Sequence, residues 1–217
     1  MTTHALPSTI AAPVEHRSVV KKSVFLANAV PVASVEAADD VVASIRKRHW
    51  DARHHCTALV VGMAADRQRS SDDGEPAGTA GTPMLEVLRH RHVTDVVVVV
   101  SRWFGGVKLG AGGLVRAYGS AVSAALDEAV WVDRVPLTPL SMEVHQADAG
   151  RVLASLHAWV DRHDAVLDEP RYGSAVTLGV RVGPGLVEAA RAEIAELTSG
   201  AVEVVAGETV IVNRRRS

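Results

Sequence analysis

An α+β chain of two domains is what the sequence predicts, and three observations carry that prediction. The length, 217 residues, exceeds one typical small domain without reaching two large ones. The second half reads as strand, helix, strand, strand, helix, strand over about 80 residues, the split βαββαβ order of ferredoxin-like domains. Between the halves the texture changes beyond Trp131, where Pro136 and Pro139 mark a boundary. The expected division is a flexible tail over residues 1–16, a first domain over 17–135, a second over 136–212 and a basic tail over 213–217.

Lys21 to Val30 holds Val24-Phe25-Leu26 and stops at Pro31, which predicts the first strand. Ser34 is placed to cap a helix ending near Trp50, with Val35, Ala38, Val42, Ile45 and His49 spaced by three or four. From His54 to Met63 a period of two puts His54, Cys56, Ala58 and Val60 on one face of a strand and His55, Thr57, Leu59 and Val61 on the other. Ala65 to Gly81 is polar and glycine-rich, and at about 17 residues it is too long for an ordinary connection, so a functional or disordered loop is expected. Thr82 as N-cap and Pro83 at the first helical position open a helix to about Arg91.

Asp95 to Ser101 contains five consecutive valines, the strongest strand signal in the chain, and valine on both faces implies cover on both sides. A glycine-rich turn from Gly105 to Gly113 then leads into a helix from about Leu114 to Val130, with Leu114, Tyr118, Val122, Ala125 and Ala129 on one stripe. The second domain comprises strand Leu137 to His145, helix Asp148 to Val160, strand Ala165 to Arg171, a hairpin at Tyr172-Gly173-Ser174, strand Ala175 to Val182, helix Pro184 to Leu197 and strand Ala201 to Val212.

With 23 basic and 25 acidic residues the net charge is -2, which excludes a whole-surface affinity for nucleic acid or anionic membrane and leaves room for a local basic patch. That patch belongs to the first domain: basic residues outnumber acidic ones 15 to 14 up to Val135 and are outnumbered 8 to 11 beyond it. Arg214-Arg215-Arg216 reads as a solvated tail. One cysteine, Cys56, excludes an intramolecular disulfide. The longest apolar run, Val96 to Val100, is far short of the roughly 20 residues that span a bilayer. Pro7, Pro13 and Glu15 break up the weakly apolar start, so a cytoplasmic location is expected.

Three constellations could carry chemistry. Gly105-Gly106-Val107-Lys108-Leu109-Gly110-Ala111-Gly112-Gly113 lies between a buried strand and a helix, where free backbone N–H groups and the helix dipole favour an anion. Arg102, Lys108 and Arg116 add positive charge, although neither the P-loop nor the dinucleotide spacing is present, and a tight turn packing helix on sheet is the plainer reading. Asp72, Asp73 and Glu75 gather hard oxygen donors that could hold Mg²⁺ beside a phosphate, against the alternative of solvated or helix-capping acids. If the two segments pack together, acids and bases face each other across one groove. His49, His54 and Cys56 offer a thiol with an imidazole partner or a soft metal site, against a buried cysteine beside polar histidines. Of the adjacent aromatics, Phe104 is expected in the core, and Trp103 is open to stack on a base or anchor a partner.

Ser71-Asp72-Asp73-Gly74-Glu75-Pro76 through Gly81, and Arg102-Trp103-Phe104-Gly105-Gly106-Val107-Lys108-Leu109-Gly110-Ala111-Gly112-Gly113 through Tyr118, resemble the signature of the IMPACT family in its bacterial YigZ-like form. Lys21-Lys22-Ser23 and the His49, Ala52, His54, Cys56 spacing resemble it too. The likeness covers residues 17–130, with Trp103 where the family commonly has tyrosine and Ala77 where it commonly has serine. It implies a first domain with the fold of ribosomal protein S5 domain 2, a sheet with helices on one side. It also implies a second, ferredoxin-like domain similar to the last domain of elongation factor G. In eukaryotic relatives the family restrains the starvation-responsive translation-initiation kinase.

The expected function is therefore a non-enzymatic, translation-linked regulator that binds RNA, the ribosome or a translation factor. Arg102, Lys108 and Arg116 would meet phosphates, Trp103 would stack, and Gly105, Gly106, Gly110, Gly112 and Gly113 would let the backbone approach. No cofactor or membrane partner is expected. The alternative is an enzyme acting on a phosphorylated or acyl substrate in the groove, with Mg²⁺ on Asp72, Asp73 and Glu75 or with Cys56 as nucleophile.

Overall fold

The computed structural model describes residues 6–200 and 202–216, so the start of the expected N-terminal tail, Ala201 in the last expected strand, and Ser217 lie outside the described residues. The chain divides into two compact units. One runs through Arg134 and takes back the chain from Arg214, and the other is Val135–Asn213.

In the first unit β1 (Thr9–Ile10), β2 (Val14–Val20), β3 (Ser23–Pro31), α1 (Val35–Arg48), β4 (His54–Val61), β5 (Arg67–Ser71), α2 (Gly81–His90), β6 (Val96–Trp103) and α3 (Ala111–Asp127) follow in order. A five-stranded antiparallel sheet has the order β2-β3-β6-β4-β5. The valine run is its centre. Val96, Val98 and Val100 face α2 and α3, joining Phe25, Cys56, Met84, Leu88, Tyr118 and Val122. Val97 and Val99 face α1, joining Leu59, Val61, Ala38 and Ile45. All five valines are fully buried, each worth about 1.5–3 kcal/mol relative to exposure. Helices thus cover both faces, as the valines require, and the one-sided cover implied by the family likeness does not hold.

Residues 6–16 are not a loose tail. Ser8, Thr9 and Ile10 are buried, Ser8 N–H donates to His92 C=O at 2.9 Å, and β2 begins at Val14. β2 and β3 form a hairpin whose turn places Lys21 and Lys22 at positive φ, 46° and 67°, a conformation that Asn-Gly normally advertises and a lysine pair conceals. β5 lies inside the expected loop. It is an edge strand of polar residues, Arg67-Gln68-Arg69-Ser70-Ser71, with no apolar alternation to betray it. α2 starts at Gly81, so Thr82 is inside the helix and not its cap, and α3 starts at Ala111, so Gly112 and Gly113 are helical and not part of a turn. At the chain end β12 (Val210–Arg215) is followed by Arg216, which pairs with Asp133, donates to Ser8 Oγ at 3.1 Å and lies over the Trp131 ring. That end is exposed, as expected, but it is an anchored strand end and not a frayed tail.

The division falls within β7 (Trp131–Val144). The second unit continues with α4 (Gln146–Val160), β8 (Ala165–Leu167), β9 (Arg171–Tyr172), β10 (Val176–Val182), a 3₁₀ turn at Pro184–Leu186, α5 (Val187–Leu197) and β11 (Val205–Ala206). Its antiparallel strands run β11, β7, β10, β8, so the fourth, first, third and second strands of a βαββαβ order lie side by side, as in ferredoxin-like domains, and β12 also pairs with β7. β10 alternates strictly, with Val176, Leu178, Val180 and Val182 buried against Leu156, Trp159 and Ile194. The expected strand Ala165 to Arg171 is broken into β8 and β9, and Pro170, which has no N–H to donate, lies in the break.

Candidate anion-binding cleft

Alternation along β6 decides which signature side chains meet. Arg102 follows Val98 and Val100 to the α3 side, and Trp103 follows Val97 and Val99 to the α1 side. Arg102 is 6% exposed and lies between the rings of Phe25 and Phe104, 5.5 and 5.7 Å from their centroids. Its Nη1 donates to Glu75 Oε1 at 2.5 Å and its Nη2 to Ser23 Oγ at 3.4 Å, while its buried Nε has no partner. Tyr118 also donates to Glu75 Oε1, at 2.8 Å. The acidic and glycine-rich segments therefore do meet, through a buried pair that fixes one to the other. Arg102 is the floor of the site and not a free phosphate contact.

Above that floor is a cleft of about 470 Å³, lined by Arg53, His54, Glu75, Phe104 and Lys108 and by Gly110 and Ala111 at the start of α3. Gly110, at φ +72°, turns the chain into α3 in a conformation that an L side chain disfavours. α3 has no side-chain cap and no acid in its first turn, so its leading N–H groups and dipole carry uncompensated positive potential. Lys108 and Arg53 are exposed and make no side-chain hydrogen bond or ion pair among the described residues. Gly105 serves packing: a Cβ there would lie 2.0 Å from the Lys22 carbonyl carbon, so the segment rests directly on the β2-β3 turn.

The other expected contacts lie elsewhere. Arg116 lines a separate, smaller pocket of about 280 Å³ with Lys21. Trp103 stands edge-on to His49, with ring centroids 5.6 Å apart, and its Nε1 donates to Asp51 Oδ2 at 2.8 Å, so it does not stack in the cleft. The aromatic at the cleft is Phe104, 44% exposed and not in the core. Arg53 was not legible as a site residue, because it lies about 50 positions from Lys108 and has no motif of its own.

The acids do not converge on a metal. Asp72 Oδ1 accepts from Ala80 and Gly81 N–H at 3.0 and 2.8 Å, and Oδ2 from Gly78 N–H at 2.8 Å, so Asp72 caps α2 from outside it. Burial pushes its pKa up, but the N–H groups of Gly78, Gly81 and Ala80 outweigh that and hold the carboxyl below the usual range. Asp73 bonds Arg46 at 2.5 Å and the His55 N–H at 2.6 Å; burial raises its pKa, and those two partners bring it below normal. Among the described residues no group of three or more His, Cys, Asp or Glu side chains is placed to hold a metal ion.

His49 and Cys56 also part company, His49 beside Trp103 on the α1 face and Cys56 on the α3 face. Cys56 is fully buried, its Sγ donates to Asp72 C=O at 3.0 Å, and burial pushes its pKa up to about 12, the opposite of an activated thiol. His54 Nδ1 lies 2.8 Å from Asp73 C=O, which can only accept, so Nδ1 carries the proton. Burial, and then Arg46, lower the pKa of His55, whose Nδ1 bonds Ser101 Oγ at 2.9 Å.

The fold and site define a two-unit α+β protein with a basic cleft at an uncapped helix start, walled by two sequence signatures. Residues 21–126 match the model of the Impact N-terminal domain, and residues 153–201 match a domain of unknown function, DUF1949. The IMPACT family member YigZ of Escherichia coli is 40% identical over 202 residues, 91% of this chain and 96% of its own. YvyE, the Bacillus subtilis member, is 36% identical over 200 residues, 92% of this chain and 90% of its own. The chain belongs to the IMPACT family. A crystal structure described as a hypothetical protein matches at TM-score 0.58 and 36% identity, covering 94% of this chain and 98% of that one. Among the described residues no helix is long and apolar enough to cross a membrane.

Proposed function

We propose that this protein acts by binding, as a translation-linked regulator that engages RNA phosphates through the cleft of its first unit. The link to translation rests on family membership. The observation that carries the RNA reading is the pairing of two unengaged cations, Arg53 and Lys108, with the uncapped start of α3. Glu75, the acid in the lining, is already paired with Arg102, so it opposes an anion only weakly. The metal-dependent and thiol-dependent readings are not carried forward, because the acids are engaged in separate contacts and Cys56 is buried and protonated.

Co-sedimentation with RNA and with ribosomes over a salt series tests this. Binding should weaken with rising salt, and the Arg53→Ala/Lys108→Ala variant should bind more weakly with a shallower dependence, by about 0.7 in log-log slope for each single-strand phosphate that the variant no longer neutralises. Binding that ignores salt, or a variant that binds like the wild type, would overturn the reading.

A further inference from the structure

We infer that the rim of this cleft is built for single-stranded RNA, with Trp50 as an outer stacking platform beside Phe104. The inference rests on the RNA reading above and deepens it by naming the form of the strand and a further contact. Trp50, just beyond α1, is 82% exposed, the most exposed large hydrophobic side chain among the described residues. Its neighbours are basic: Lys47, Arg48 and Arg53 are all exposed and none makes an ion pair among the described residues. Asp51, the acid of this short segment, accepts from Trp103 Nε1.

The loop is anchored, which fixes the backbone from which the indole projects. Arg53 N–H donates to Arg102 C=O at 2.9 Å, Ala52 N–H to His49 C=O at 2.9 Å, and Asp51 is tied to Trp103. Those anchors on β6 are its last two residues, and Phe104 follows them directly. Three residues of chain span at most about 11 Å, so Trp50 lies within that reach of Arg53, which lines the cleft with Phe104 and Lys108. The cleft and the segment leading to it therefore carry two exposed aromatics, Trp50 and Phe104, together with the cations Lys47, Arg48, Arg53 and Lys108, unpaired among the described residues. Such a combination suits an unpaired strand, whose bases offer open faces to aromatic rings while its phosphates follow the cations. In a duplex those faces are already stacked on one another, and phosphate contacts alone remain.

Fluorescence anisotropy with a labelled single-stranded RNA and the same sequence as a duplex tests the inference on the full chain. Trp50→Ala should weaken single-strand binding about tenfold, the order of one base–aromatic stack, and change duplex binding by less than about twofold. Trp50→Phe should recover most of the loss. Because Trp50 is exposed, the unfolding midpoint should stay unchanged in both variants. If Trp50→Ala binds single strands like the wild type while Arg53→Ala/Lys108→Ala does not, the rim inference falls and the cleft reading stands. Equal losses on single strand and duplex would also overturn it. If the wild type binds neither form, both readings fall.

Discussion

The acidic and the glycine-rich segments look like matched halves of one site, yet the structure uses them in opposite ways. Asp72, Asp73 and Glu75 are each consumed by partners inside the protein: the start of α2, the Arg46 and His55 pair, and the buried Arg102. Lys108 and the unheralded Arg53 are left unengaged at the cleft. A charge in a motif therefore marks a site only when its own fold leaves it unpaired. Here the acids hold the walls in place and the bases face outward.

The largest effect that could break this comparison comes from its buried hinge. Glu75→Gln leaves Arg102 with an uncompensated buried charge and should cost about 3–5 kcal/mol in urea unfolding. A loss below 1 kcal/mol would deny the pair its structural role. Asp72→Ala removes an acceptor shared by three backbone N–H groups and should cost about 1–2 kcal/mol, the scale of a lost helix cap.

Acid should act through the same groups. Asp72 and Asp73 titrate below their unfolded value of about 3.9, so their contribution is present above that pH and is lost as pH falls through the lower folded values. Urea midpoints measured from pH 6 down to 3 should drop in the acid limb, and the drop should be shallower in Asp72→Asn. A parallel curve for that variant would count against the capping role. Cys56 should resist iodoacetamide in the native state and react on unfolding, and rapid native labelling would contradict its burial. At the small end, Arg53→Ala/Lys108→Ala should shift stability by no more than about 0.5 kcal/mol per site, since neither side chain has a partner to lose.

Much of the architecture was legible because periodicity reports burial. The valine run announced a sheet covered on both faces, and the βαββαβ order of the second unit was legible from the succession of its segments, among which β10 alternates strictly in the structure. β2 and β5 escaped for physical reasons: one ends in a Lys21-Lys22 turn without glycine or asparagine, and the other is an edge strand with no apolar face. The glycine-rich and acidic segments were identifiable as neighbours of a site, but the roles of single residues were not. Extending the alternation of Val96, Val98 and Val100 by one step would have placed Arg102 inward and Trp103 on the opposite face. Arg53 and Trp50 had no such signal, because only the return of the chain from α1 to β4, pinned at Arg102 C=O, brings Arg53 to the cleft and Trp50 within three residues of it.

The central claim, acids for the fold and bases for the partner, is tested most directly by measuring urea stability and single-stranded RNA affinity on the same two variants. Asp72→Asn should lose stability and keep its affinity, and Arg53→Ala/Lys108→Ala should keep its stability and lose affinity. A folded Asp72→Asn protein that no longer binds RNA, or a basic-residue variant that binds like the wild type, would contradict the account.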